Sequence, residues 1–453
     1  MNQFSVGYAA VNINPMLGIG VSGYFVPRYA SGFYDDLESS ALALTCGEKT
    51  VVLISVDNCG IDTEVGRMYR EMIAEECGIE YDQIFLSATH THTGPVMAHT
   101  DAFPVDDVLV ERYAAFLAER LVDVVKLALA DRKPGKMGFC VGYAPERVAY
   151  IRRYKMKDGS TWTCPPINDP NILYPIGTLD QRVNVLRFDR EGAETVVLMN
   201  YGLHADTINS DRISADWPGW MRKTIDKALD GVKCMFFAGA QGDVGSTHVN
   251  PSGGDMNDTE ISFDNEMKSY GMARFVGRAL AGTILQVYDK VEYVDVDSLD
   301  ILHKMVKVKA NVPSPEELPL ARKYNELHEA GKDSEIPFTA MELTTVVAEA
   351  GRMCRLAEGP DFFELEVTGV KIGPVALVGL PGEPFTGIGV GIKEAEGWRC
   401  ILPCALTNGN DGYFPMQDAF DEGGYEARSS SYKSGVAEAL IAGGKAVLEE
   451  LKK

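Results

Sequence analysis

Short apolar runs alternate with amphipathic stretches along the whole chain. Residues 50–57 form an apolar run that predicts a buried strand, and residues 63–77 place apolar side chains at helical spacing before Gly78. The same patterns predict strands at residues 83–88, 194–201, 232–238, 363–372 and 375–379, and helices at residues 107–131, 217–229, 263–287, 315–330, 339–357 and 431–451. Strands that alternate with helices in this way predict an α/β fold.

The domain organisation follows from what lies between these elements. No serine- or proline-rich linker divides the chain, so we expect one large domain over residues 1–453, with the helical pair at residues 314–358 as a candidate insertion. Residues 134–175 and 249–258 are predicted to be long loops, which in compact domains are usually functional or mobile.

The net negative charge of the chain limits the kinds of partner that it is expected to bind. The chain has 43 Lys and Arg against 65 Asp and Glu, a net charge of −22, and its longest basic stretch is Arg152-Arg153-Tyr154-Lys155. Such a surface repels phosphate backbones and anionic lipids, so we expect no nucleic-acid partner and no stable membrane association. Nothing in the pattern indicates an oligomeric state.

Targeting signals and cysteine usage favour the cytoplasm. No apolar run reaches the roughly 18 residues of a membrane span, and the first residues lack the basic start and apolar stretch of a signal peptide. The chain has nine cysteines and no Cys-x-x-Cys pair. We therefore expect free thiols in a reducing cytoplasm rather than disulfides or a thiolate zinc site.

A glycine motif near the start of the chain lacks the context that dinucleotide binding requires. Gly18, Gly20 and Gly23 match Gly-x-Gly-x-x-Gly, but Tyr24-Phe25-Val26-Pro27 follows where a dinucleotide site needs a helix. We expect these residues to be turn glycines. The chain also contains no phosphate-binding P-loop, no His-Glu-x-x-His and no Gly-x-Ser-x-Gly.

The segment Thr89-His90-Thr91-His92-Thr93-Gly94-Pro95, directly after a predicted strand, carries two of the seven histidines. Side chains two apart in extended backbone point to the same face, and neutral imidazole is a common ligand for transition metals. An isolated His-x-His is equally consistent with a hydrogen-bonded turn that holds no metal.

Three more polar residues follow apolar strands. His204 comes after residues 194–201, Asp243 lies in a glycine-rich turn after residues 232–238, and Glu383 follows Pro381-Gly382. Sites in α/β sheets form beyond the carboxyl ends of strands, so these turns are expected to converge. Two histidines and a glutamate form a ligand set that leaves zinc an open catalytic position, which predicts a metal hydrolase.

This ordered set of motifs resembles the catalytic domain of the neutral (non-lysosomal) ceramidase family. The resemblance covers nearly the whole chain, in order, at residues 6–15, 89–95, 202–204, 214–216, 242–244, 381–383, 412–414 and 425–427. It implies mixed β-sheets flanked by helices and a zinc-dependent hydrolase of amide bonds.

The resemblance also implies roles for individual residues. The zinc ligands would be His90, His204, Glu383 and Tyr413. The catalytic residues would be His92, Arg152 (with Arg153 as its rival) and Tyr425. Zinc activates water and polarises the carbonyl, His92 would orient the carbonyl or transfer a proton, and Arg152 and Tyr425 would stabilise the oxyanion.

Other polar residues are open to two readings. Asp57, Asp206, Asp216 and Asp243 either orient imidazoles or cap turns, and His99, His303 and His328 are expected to be surface or structural residues. Family ceramidases carry a serine where this chain has Gly245, so Ser246 or His248 is a candidate for part of its role.

The substrate expectation follows from two departures from the family. We expect the protein to lack the family's C-terminal immunoglobulin-like domain and its secretion signal, since neither is found within residues 1–453. We therefore expect a small soluble amide, such as an N-acyl amino acid or a lactam, as substrate. Two alternatives remain: an amidase of ceramide or another N-acyl lipid, and a non-catalytic binding protein that kept the fold.

Overall fold

Strands and helices alternate along the chain in the structure, a computed structural model that describes residues 4–97, 103–250 and 268–453. The strands are β1 (Phe4–Asn12), β2 (Gly32–Phe33), β3 (Glu38–Cys46), β4 (Lys49–Val56), β5 (Ile84–Ala88), β6 (Lys133–Tyr143), β7 (Tyr150–Ile151), β8 (Arg153–Met156), β9 (Thr161–Thr163), β10 (Ile172–Pro175), β11 (Arg182–Arg190), β12 (Thr195–Tyr201), β13 (Arg212–Ile213), β14 (Val232–Ala238), β15 (Val244–Gly245), β16 (Glu292–Val294), β17 (Leu299–Lys309), β18 (Phe362–Ile372), β19 (Val375–Gly379), β20 (Glu383–Pro384), β21 (Cys400–Cys404) and β22 (Tyr413–Phe414). The helices are α1 (Thr63–Cys77), α2 (Asp107–Ala130), α3 (Asp216–Ala228), α4 (Tyr270–Val287), α5 (Leu318–Glu329), α6 (Ala340–Arg355), α7 (Thr386–Lys393), α8 (Gln417–Glu422), α9 (Tyr425–Ser429) and α10 (Val436–Leu451).

Two mixed sheets organise these elements. The larger has the order β14-β12-β11-β6-β1-β3-β4-β5, with β16 also paired to β6, and its β4–β5 and β12–β14 pairs are parallel. The smaller has the order β17-β18-β19-β21 with β19 and β21 parallel. The predicted α/β architecture of mixed sheets flanked by helices is confirmed.

The sheets form the two middle layers of a helix–sheet–sheet–helix arrangement. Leu53, Phe85 and Leu198 of the larger sheet share a buried cluster with Leu377 and Leu402 of the smaller one. Helices α1 and α2 cover one part of the larger sheet's outer face, and α3 and α4 cover another. Helices α7 and α10 cover the smaller sheet. Among the described residues, no helix is both long enough and apolar enough to cross a bilayer.

The larger sheet curls until its two ends approach each other. Ser55 Oγ donates to the Phe236 carbonyl at 2.6 Å, and the rings of Phe85 and Phe237 lie 5.8 Å apart. Beyond the strands, the segment after β21 joins the two ends, since the backbone nitrogen of Ala405 donates to the carbonyl of Ala238 and Ser87 Oγ donates to the carbonyl of Ala405. The carboxyl ends of β5, β14 and β21 therefore meet at one place.

The predicted loop at residues 134–175 is wrong, because this stretch contains β6 to β10. Gly138 and Gly142 of β6 lie where a Cβ would come within 2.9 Å of Val291 and 2.5 Å of Thr283. The glycines thus allow close packing within a strand, whose pairing partners β11 and β16 are distant in sequence.

Some predictions fall partly or wholly outside the described residues. His99, residues 251–258 of the second predicted loop and the first residues of the predicted helix 263–287 belong to this group. Within the described chain that helix begins at Tyr270. The remaining predicted helices and strands agree with the structure to within a few residues, and helix 63–77 has the predicted bounds.

Candidate metal centre

Three residues predicted to bind the metal come together. His90, His204 and Glu383 each contribute one ligand atom, and these atoms lie within 4.8 Å of one another. Oε2 of Glu383 is 3.2 Å from Nε2 of His90 and 3.1 Å from Nε2 of His204. All three side chains are buried: His90 and His204 lie in the turns that follow β5 and β12, and Glu383 begins β20, shortly after β19.

Backbone carbonyls determine which nitrogen of each imidazole faces the centre. Nδ1 of His90 lies 2.5 Å from the carbonyl oxygen of Cys59, and Nδ1 of His204 lies 2.9 Å and 3.0 Å from the carbonyls of Gln241 and Val244. Because carbonyls only accept hydrogen bonds, each Nδ1 carries a proton and donates it. Whenever such a ring is neutral, its Nε2 therefore presents a lone pair towards Glu383, as carbonyl-anchored metal-binding histidines do towards a metal.

The contacts of the Glu383 carboxylate indicate whether His90, His204 and Glu383 together suit a metal ion. Oε2 of Glu383 is buried and, among the described residues, forms no contact with the geometry of a hydrogen bond. Burial opposes its charge, but His90 and His204 hold the pKa of Glu383 well below its usual range. A buried anion that faces two imidazole lone pairs needs a cation between them, so the donor set fits a metal ion.

The two imidazoles differ in charge preference. Burial and the Arg152 guanidinium lower the pKa of His204 to about 4, so this ring is neutral. Burial also opposes a charge on His90, yet the Glu383 carboxylate raises the pKa of His90 well above its usual range. The field that attracts a proton to His90 Nε2 equally attracts a metal cation to that position.

His90 does not have the extended backbone on which its pairing with His92 was predicted. Its φ is +71°, in the left-handed region, and β5 ends two residues earlier. The rings nevertheless converge, with centroids 4.7 Å apart and 3.2 Å between the two Nε2 atoms. The turn, rather than a common strand face, brings the rings together. Nδ1 of His92 points towards Asp206 Oδ1 at 3.6 Å.

Gly23, from the glycine motif, packs directly against His92. Its φ is +103°, and a Cβ at this position would lie 2.6 Å from Cγ of His92. We expect Gly23→Ala to displace His92 and to destabilise the fold by about 1–3 kcal/mol, because an L side chain is strained at this φ. Turnover of any amide that the protein cleaves should fall while the metal stays bound.

Gly435 offers a matched control for this substitution. Its φ is +101°, but a Cβ there would meet nothing within 4 Å. Gly435→Ala should cause comparable backbone strain and leave turnover unchanged, as measured by thermal unfolding and steady-state kinetics. Equal turnover in the two variants would contradict the proposed role of Gly23.

Of the two rival arginines, Arg152 lies beside the centre. Its Nη1 is 3.2 Å from Nε2 of His204, its Nε donates to Glu426 at 2.7 Å, and its Nη2 donates to the carbonyl of Gly242 at 2.8 Å. Arg153 instead pairs with Glu422 at 3.1 Å. Glu426, which anchors Arg152, was missed, although it lies inside the Tyr-Glu-Ala stretch that carried the resemblance.

The two predicted tyrosines lie next to this group. Tyr413 pairs with Glu383 between the parallel strands β20 and β22, and its ring centroid is 5.5 Å from that of Tyr425 and 5.4 Å from the Arg152 guanidinium. Burial and the Glu383 carboxylate raise the pKa of Tyr413 well above its usual range. Tyr413 is therefore a neutral phenol here, and its oxygen is available as a fourth donor beside two nitrogens and one carboxylate.

The four candidate aspartates support the surrounding turns. Asp57 accepts from Thr89 Oγ1 at 3.1 Å and pairs with Arg222, and Asp243 accepts from the backbone and hydroxyl of Thr386. Asp216 accepts from the backbone of Thr207 and of Trp217. Asp206 differs from them because it faces an imidazole, that of His92, and also contacts Tyr24 and Lys268.

The position at which family ceramidases carry a serine, Gly245 in this chain, has room for a side chain. Gly245 pairs with Tyr150 between β15 and β7, and a Cβ there would be 3.7 Å from Arg152, an ordinary contact. Ser246 Oγ is buried and has no hydrogen-bond partner among the described residues, and His248 stacks on Tyr150 at 4.7 Å. Ser246 lines a small cavity together with Arg152 and His204.

One further group was missed by the sequence reasoning. Cys59, three residues beyond β4, has its Sγ 3.8 Å from Nδ1 of His90 and forms a second potential metal-binding group with His90 and His92. The other histidines outside the centre have polar partners: Nδ1 of His303 is 3.0 Å from Glu366, and Nδ1 of His328 is 2.8 Å from Asp333.

Comparisons with known proteins identify the fold. The chain matches no protein-family model and no curated protein. Among solved structures, neutral ceramidase from Pseudomonas aeruginosa matches with a TM-score of 0.74 and 18% identity, over 100% of this chain and 75% of that chain. The chain has the neutral ceramidase fold. A structure described as ceramidase complexed with C2 matches with the same TM-score and identity, over 100% of this chain and 76% of that one. The fold implied by the sequence resemblance is confirmed.

Proposed function

We propose that this protein is a zinc-dependent hydrolase that cleaves the amide bond of a small substrate. His90, His204, Glu383 and Tyr413 would hold the metal. One observation carries the proposal: the buried Glu383 carboxylate lies within 3.2 Å of two imidazole nitrogens whose opposite nitrogens donate to backbone carbonyls. Two histidines, a carboxylate and an oxygen donor are a ligand set typical of hydrolytic zinc.

The ion would supply Lewis-acid activation of water and of the scissile carbonyl. The chain's own residues provide the remaining functions. Arg152, fixed by Glu426 and the Gly242 carbonyl, presents its guanidinium beside the centre, where it would stabilise negative charge that develops on the carbonyl oxygen. Tyr425 would donate a second hydrogen bond to that oxygen.

His92 is the residue we propose for proton transfer. Its Nε2 faces the centre, and Asp206 lies 3.6 Å from its Nδ1 on the opposite side of the ring. An imidazole held in this way would accept a proton at Nε2 from the attacking water and then deliver it to the leaving nitrogen of the amide. His92 lies in the turn that follows β5, Arg152 lies between β7 and β8, and Tyr425 begins α9.

Metal analysis and metal removal test the proposal together. Protein purified without added metal should contain about one zinc ion per chain, and a chelator should abolish hydrolysis of any amide in a broad acyl-amide panel. Adding zinc back should restore the rate. A metal-free protein with the full rate would contradict the proposal, as would a mass spectrum showing an acyl group on Ser246.

A further inference from the structure

A large cleft of about 1070 Å³ opens onto the candidate metal centre. Glu383, Tyr413 and Tyr425 form part of its wall, so a substrate that reaches the centre from this side must pass through it. Helices α5 and α6 and the segment around Asp411 contribute to the rest of the wall. The side chains of this cleft therefore select what approaches the centre.

The wall of the cleft is strongly acidic. Its described residues include six carboxylates, those of Asp62, Glu64, Glu329, Glu364, Glu383 and Asp411. The same described residues include one arginine, Arg355. With Glu383 assigned to the metal, five carboxylates remain beside one guanidinium of the wall, and of these five only Glu64 forms an ion pair among the described residues, with Arg67 at 2.8 Å. A cleft lined by one sign of charge concentrates ligands of the opposite sign.

Asp411 lies closest along the chain to the groups of the centre. Its backbone nitrogen donates to the carbonyl of Pro381 at 2.7 Å, and the neighbouring Gly412 carbonyl accepts from the backbone nitrogen of Glu383 at 2.9 Å. Its Oδ1 accepts from Thr63 Oγ1 at 2.6 Å, which favours the charged form, while burial raises the pKa of Asp411 to about 6, so the carboxylate is mostly charged above neutral pH. The acidic field thus extends to the buried end of the cleft, where Glu383 Oε2 is itself without a hydrogen bond among the described residues.

The geometry points to an amide substrate that carries a cationic group, such as an ammonium, on the part that occupies this cleft; the inference rests on the proposed amidase function. An N-acyl amino acid with a free carboxylate would meet five like charges. A long fatty chain would leave these carboxylates without water, which is costly for charged groups. A substrate with an ammonium group pairs with them instead.

Three N-acetylated amines that differ only in their end group test this preference. N-acetylputrescine carries an ammonium, N-pentylacetamide a methyl group and N-acetylaminovalerate a carboxylate, and a second set would place the same end groups on the acyl half. At low ionic strength we expect kcat/KM for the ammonium probe to exceed that for the carboxylate probe by at least about 10-fold in one set, and added salt to reduce this ratio.

Two substitutions locate the effect. The double variant Asp411→Asn with Glu364→Gln should lower the ammonium-to-carboxylate ratio several-fold, and asparagine keeps an oxygen for Thr63. Glu191→Gln, an equal change of charge at an exposed position between β11 and β12, should leave the ratio unchanged. The ratio corrects for any general loss of activity in the variant.

Binding separates failure of this inference from failure of the amidase proposal. If no probe is cleaved, the amidase function is wrong, but calorimetric binding of the same probes still measures the charge preference. Equal or tighter binding of the carboxylate probe in both sets, or a ratio that the double variant leaves unchanged, would overturn the inference.

Discussion

Replacing His204 with alanine should leave the purified protein with little zinc. Removal of a residue that merely supports a ligand typically weakens metal binding by 10–100-fold, so loss of a ligand should cost more than about 100-fold. His204 is held by two backbone carbonyls and its Nε2 lies 3.1 Å from Glu383, so the substitution removes a nitrogen donor that the backbone has fixed in place. Elemental analysis of wild type and variant, purified in parallel, measures the effect.

Glu383→Gln is the complementary experiment, because it removes the charge and preserves the size of the side chain. We expect zinc content to fall as far as in His204→Ala. Glu191→Gln, the same chemical change on the surface, should keep full metal, and circular dichroism should show that all three variants are folded. Full zinc in either His204→Ala or Glu383→Gln would mean that the ligand set is wrong.

Local chemistry explains why the helices and several strands could be predicted from the sequence. Helix α1 has the predicted bounds because Asp62 caps its first turn and Gly78, at φ +64°, ends it. By contrast, β3 and β6 were missed. Their Ala-, Ser- and Gly-rich sequences carry little local strand signal. Both are central to the sheet through pairing: β3 pairs with β1 and with β4, which follows it directly, and β6 pairs with β1, β11 and β16.

The candidate site shows the same difference between what local sequence predicts and what depends on tertiary contacts. His90, His204 and Glu383 could be found because each comes shortly after an apolar strand, whereas Tyr413 was indicated only by the family resemblance. Their meeting point could not be derived locally, since it depends on the curl of the larger sheet, which brings β5 to β14 and both to the segment after β21. The choice of Arg152 over Arg153 likewise depends on Glu426, which is 274 residues away in sequence.

The substitutions His90→Ala and His92→Ala should separate metal binding from catalysis. His90 Nε2 is 3.2 Å from Glu383, whereas the contacts of His92 are with His90 and, through its other nitrogen, with Asp206. His90→Ala should therefore lose zinc. His92→Ala should keep zinc and lose turnover by roughly 100-fold or more, as expected for the loss of a proton-transfer group.

The kinetic pattern distinguishes this role for His92 from substrate binding. If His92 acts in the transition state, kcat falls far more than KM rises, because the lost interaction is absent from the ground state. The structure also defines the competing outcome, since Cys59, His90 and His92 form a second potential metal-binding group. Equal zinc loss in the two variants would mean that both histidines bind the metal, and proton delivery to the leaving nitrogen would then have to come from another residue.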